Sequence, residues 1–70
     1  MKLNGFLEIE WKEFTENCAF TDDELEIIPY LKRGLYLYSI AQRLNVSEKT
    51  VQRRKKSIVT KMIKYLRRAG

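Results

Sequence analysis

Two helical rhythms meet at Asn45-Val46-Ser47, and this junction constrains the fold more than any other feature of the chain. Before it, Leu37 to Leu44 reads as a short helix with Ile40, Ala41 and Leu44 on its inner face, Ala41 being small where another helix must come close. After it, Val51, Ile58, Met62 and either Tyr65 or Leu66 lie along one side of a second helix. Asparagine accepts a positive φ more readily than any residue except glycine, so Asn45 suits a sharp turn that Val46 plugs from inside. Ser47 caps the second helix. No breaker follows before Gly70, which gives that helix about 20 residues and a length of ~30 Å.

Upstream, Thr21-Asp22-Asp23-Glu24 is a capping box, with Phe20 and Leu25 at the staple positions on either side. The helix it opens is expected to run to about Arg33 and to stop at Gly34 in a left-handed conformation. Leu25, Ile28, Leu31 and Leu35 form its expected buried stripe. Pro29 interrupts it, deleting the hydrogen bond to the Leu25 carbonyl, so either a kinked helix or two shorter helices broken near Ile28 fit the pattern. From Leu7 to Cys18, the residues Leu7, Trp11, Phe14 and Cys18 recur with helical spacing. Residues 6–12 also alternate as a strand would, but a lone strand would have no partner in this chain. The reading favours helix.

The expected architecture is therefore all-α, a small helix-turn-helix bundle of about four helices with a long C-terminal recognition helix. Residues 1–70 form one domain, with a helical extension over 1–19 and the helix-turn-helix core over 20–66. Seventy residues lie near the lower limit for a fold held by its own core. With 44% hydrophobic residues, three glycines and one proline, the composition is that of a globular chain rather than a disordered one.

Charge is divided unevenly along the chain. Residues 1–31 carry Lys2 and Lys12 against eight acids, whereas residues 32–70 carry twelve lysines and arginines against Glu48 alone. A polyanion is the natural partner of the second half. Apolar runs are far short of the ~20 residues that span a bilayer, and the N-terminus lacks the pattern of a signal peptide, so the expected location is the cytoplasm, associated with the nucleoid. The chain has no histidine and one cysteine, Cys18, which reads as a small core residue. No metal, cofactor or small-molecule substrate is expected. Without histidine, a glycine-rich phosphate loop or an evident base near Cys18, the chain does not read as an enzyme.

A capped helix that follows a tight turn and carries a basic outer face is the geometry that places one helix in a major groove. Its first turns face the bases. Gln52, Arg53 and Lys56 are the expected readers, because arginine or lysine pairs with guanine O6 and N7, and glutamine with adenine N6 and N7. Ser47, Lys49, Thr50, Arg54 and Lys55 are placed to hold phosphates, with Tyr38 and Arg43 clamping the backbone from the preceding helix.

At these same residues the chain resembles the LuxR/GerE-type helix-turn-helix family over about residues 20–63. Phe20-Thr21-Asp22-Asp23-Glu24-Leu25-Glu26-Ile27-Ile28 is similar to that family's opening, and Gly34-Leu35, Ile40-Ala41, Arg43-Leu44, Val46 to Val51, Ile58 and Lys61-Met62 fall where its pattern has counterparts. The resemblance implies a DNA-binding regulatory domain of a bacterium or phage, with base-reading positions at Gln52, Arg53 and Lys56. Tyr36, Asn45, Pro29 and Arg54 depart from the pattern, and Lys64 to Arg68 continue the third helix where the family usually turns into a fourth, dimer-forming one. Sigma-factor region 4 shares much of the pattern and is not separated from it by these residues.

The leading expectation is sequence-specific binding of double-stranded DNA by a stand-alone transcription regulator. A homodimer would double its contacts. The alternative is a protein-interaction module, binding RNA polymerase or a regulator through its acidic half or through Leu37, Tyr38, Tyr65 and Leu66.

Overall fold

The computed structural model describes residues 2–69. A single 3-10 turn, Leu3–Gly5, precedes four helices: α1, Glu8–Asn17; α2, Asp22–Lys32; α3, Leu37–Leu44; and α4, Glu48–Ala69. Helix α4 has 22 residues, and at 1.5 Å per residue its length of about 33 Å nearly matches the 36 Å long dimension of the molecule. The other helices pack along this rod, with α2 reaching it at Arg54 and Lys61 and α1 at Tyr65.

Local chemistry sets the helix ends. The Thr21 hydroxyl accepts from the Glu24 amide at 3.2 Å and the Glu24 carboxylate accepts from the Thr21 amide at 2.8 Å, the reciprocal box expected there. After α2, Gly34 has φ 74°, and the amides of Gly34 and Leu35 return to the carbonyls of Leu31 and Tyr30. This double bond is a Schellman closure. Asn45 adopts φ 55° and closes α3 in the same manner, its amide and that of Val46 returning to Gln42 and Ala41. The Ser47 hydroxyl then accepts from the Thr50 amide at 3.1 Å and starts α4.

Helix α2 runs unbroken through Pro29, which excludes the reading of two shorter helices. Its buried stripe is Ile27, Ile28 and Leu31, whereas Leu25 is 40% exposed. The expected stripe holds at Ile28, Leu31 and Leu35 and fails at Leu25, in whose place Ile27 is buried. In α1, Trp11 and Phe14 are buried, but Leu7 is the residue before the helix and is exposed. Its amide donates to the Glu10 carboxylate at 2.8 Å, so Leu7 serves as a cap position rather than a core residue.

The core joins all the helices: Leu3, Trp11, Phe14, Ile27, Ile28, Leu31, Ile40, Val51, Ile58 and Met62 are buried together. Tyr65 packs against this cluster, while Leu66 is 44% exposed, which decides between the two candidates for the last buried turn of α4. Phe14 meets Tyr65 edge to face at 5.9 Å, and the Tyr65 hydroxyl donates to Glu13 at 2.6 Å. Cys18 is buried, its thiol donating to the Lys61 carbonyl at 3.8 Å, and burial pushes its pKa up. It is a core residue in a protonated state.

Candidate nucleic-acid interface

The αL turn at Asn45 and the Ser47 cap fix the direction in which α4 leaves α3. Val51, Ile58 and Met62, each fully buried, then fix its rotation about its own axis. With that face inward, Lys49, Gln52, Arg53 and Lys56 must point outward, because they lie on the far side of a 3.6-residue period. All four are exposed, and together they line one open groove on the surface of the first turns. Among the described residues, Lys49, Arg53 and Lys56 have no ion-pair partner. The three positions expected to read bases are thus brought together, with Lys49 beside them.

The residues expected at phosphates divide into several environments. Ser47 is exposed but occupied as a cap, and its hydroxyl also shares a 2.8 Å hydrogen bond with the Thr50 hydroxyl. Thr50 is half-buried. Tyr38 is 55% exposed on α3. The Arg43 guanidinium, also exposed, sits over the Tyr30 ring at 5.9 Å from its centroid. That contact holds a cation at the side of α3 and leaves its charge uncancelled.

Arg54 and Lys55 lie on opposite sides of the reading groove. The Arg54 guanidinium points toward the start of α2, 3.7 Å from the Asp23 carboxylate, with its side chain 24% exposed. A second groove opens there, bordered by Thr21, Asp23, Thr50, Arg53, Arg54 and Ser57. Asp23 and Glu24 in its wall offset the charge of Arg53 and Arg54 and weaken it as a seat for a phosphate. Lys55 is half-buried and faces the other way, toward the start of α3 and the N-terminal turn.

Two features of this surface carry no signal at the level of sequence. Lys61 reaches from α4 to Glu24 at 2.5 Å and to the Ala19 carbonyl at 3.3 Å, clamping the start of α2 against α4. Tyr36, noted only as a departure from a capping residue, stands 79% exposed at the entry to α3 and makes no side-chain cap.

The model of the luxR family of bacterial regulatory proteins, GerE, matches residues 19–64, well over half of the chain. The chain belongs to this family. The match begins beside the Thr21 box and ends just past Met62, so it takes in α2, α3 and most of α4 and leaves α1 outside. A luxR-type domain is a DNA-binding regulatory domain. No curated protein and no solved structure gives a significant match. No helix among the described residues is long and apolar enough to cross a membrane.

Proposed function

We propose that the chain is a transcription regulator that recognises a specific sequence of duplex DNA with the outward face of the first turns of α4. Arg53 and Lys56 would pair with guanine edges and Gln52 with an adenine edge in the major groove. Lys49 beside the readers, Tyr38 and Arg43 on α3, and Lys55 on the flank toward α3 would hold phosphates and set the register. The observation that carries this reading is the exposed groove of Lys49, Gln52, Arg53 and Lys56, three cations without an ion-pair partner among the described residues beside one amide, on a helix whose rotation the core fixes.

Selection of bound duplexes from a random pool at physiological salt tests it. A defined motif is the expected result, and a palindromic one would make the bound species a two-fold dimer. Arg53→Ala should relax preference at one base pair, with a loss of about 1 to 3 kcal/mol for the preferred base. A pool that emerges unenriched, or enrichment unchanged by Arg53→Ala and Gln52→Ala together, would overturn the reading.

A further inference from the structure

The N-terminal turn lies outside the family match, yet it is built onto the helix-turn-helix unit. Leu3 is buried at 4% exposure, and the 3-10 turn packs against α2. The Asn4 side chain lies so close to Gly34 that a Cβ there would come within 3.0 Å of its amide nitrogen. Glycine at this position thus serves two ends, a positive φ and the approach of the turn. The turn is thereby held against the α2–α3 loop.

This docking creates a cleft bordered by Lys2, Asn4, Gly34, Tyr36, Leu37 and Lys55. Lys2 from the N-terminus and Lys55 from α4 converge on it, and among the described residues no carboxylate lines it. The groove on the Arg54 side is lined by Asp23 and Glu24 as well as by Arg53 and Arg54, so acids offset its cations, whereas the cleft on the Lys55 side carries lysines alone. Among the described residues neither Lys2 nor Lys55 has an ion-pair partner. Lys55 is three residues beyond Gln52 on α4, so the cleft adjoins the reading groove across one helical turn. It also lies at the start of α3, the helix that in this type of motif crosses the DNA backbone.

We infer that the N-terminal turn supplies an added DNA phosphate contact, with Lys2 and Lys55 holding one backbone phosphodiester in the cleft beside the start of α3. This inference rests on the DNA-binding reading above. Neutralising a phosphate adds affinity without sequence information and steepens the salt dependence, because each contact releases a condensed counterion. The segment outside the family match would in this way lengthen the footprint without altering the sequence read.

The test compares wild type, Lys2→Gln and Lys2→Arg on the selected duplex from 50 to 200 mM salt, with phosphate-ethylation interference on each. Lys2 is exposed, so helicity and melting temperature should be the same in all three proteins. The expected result for Lys2→Gln is a salt slope shallower by about 0.9, with weaker binding to all sequences alike. One interfering phosphate should vanish in Lys2→Gln and return in Lys2→Arg. If wild type binds duplex DNA and Lys2→Gln keeps both slope and interference pattern, the inference fails while the DNA-binding reading stands. A weaker Lys2→Gln with every interfering phosphate retained would make Lys2 a source of long-range attraction only, which also overturns it. If wild type binds no duplex, both readings fall.

Discussion

One carboxylate oxygen of Glu24 receives both the Lys61 ammonium of α4, at 2.5 Å, and the Thr21 amide of its own helix, at 2.8 Å. The cap of α2 and the seam between α2 and α4 therefore share an atom. Glu24 is 4% exposed, and burial acts to raise its pKa. The Lys61 ammonium, the neighbouring Ser57 hydroxyl and the Thr21 amide outweigh burial and hold it lowered from 4.5 to about 2.

A carboxylate with a depressed pKa stabilises the fold at pH above its unfolded value, and the contribution disappears as pH falls through the folded one. Stability should therefore decline between pH 4.5 and about 2. Glu24→Gln keeps an oxygen for the Thr21 amide but has no charge, so it should lose about 3 kcal/mol at pH 7. The deficit should shrink steeply as pH falls toward 2 and vanish only below it. Urea denaturation of both proteins across pH 2 to 7 reads this, and parallel curves would contradict it.

Ala19 stands at φ 50° between α1 and α2, a conformation that is unfavourable for a residue with a Cβ. Ala19→Gly relieves that strain but gives the unfolded chain more freedom, and the two effects leave a gain of up to about 1 kcal/mol. A raised urea midpoint at unchanged slope is the expected outcome. A lowered midpoint would show that the Ala19 methyl contributes more than its backbone costs.

Ser47→Ala should cost about 1 kcal/mol, because the Thr50 amide loses its acceptor at the start of α4. Ser47→Asp, which retains an acceptor and adds a negative charge at the helix start, should restore folding stability. The same aspartate should weaken DNA binding by placing an anion beside Lys49. Thermal melting and duplex titration separate the two effects.

Arg54→Ala and Lys49→Ala remove the same charge from adjacent turns of α4, but in different surroundings. Arg54 is paired with Asp23, whereas Lys49 faces the open groove. The proposed interface therefore expects Lys49→Ala to weaken all duplexes and to lower the salt slope by about 0.9, with little change for Arg54→Ala. Equal losses for both would mean that Arg54 leaves Asp23 when DNA binds.

The features legible in the sequence are those decided within a few residues. The Thr21 box, the left-handed Gly34 and Asn45 and the Ser47 cap all stand where local chemistry puts them. The rotation of α2 was harder to read, because whether Leu25 or Ile27 is covered depends on which neighbour lies against the helix, and a stripe of mixed apolar residues permits both. Arg54 shows the same effect at the candidate site. Its position on a helical wheel suits a phosphate, and in the fold its guanidinium stands 3.7 Å from the Asp23 carboxylate, a neighbour that periodicity does not show. The Glu24–Lys61 pair joins residues 37 apart, beyond the reach of any periodicity. Gln52, Arg53 and Lys56 were legible because one buried stripe, Val51, Ile58 and Met62, fixes their side of α4 by elimination.

The chain has a single tryptophan, and its ring forms a triangle with Phe6 and Phe14, each 6.0 Å away, with the Lys32 ammonium 6.0 Å from its centroid. Trp11 is thus an optical reporter for the docking of α1 rather than for the proposed DNA interface. Its emission will register undocking of α1 before or together with global melting. A duplex titration followed by fluorescence will be nearly silent, so an extrinsic dye or a labelled oligonucleotide is the appropriate signal for binding.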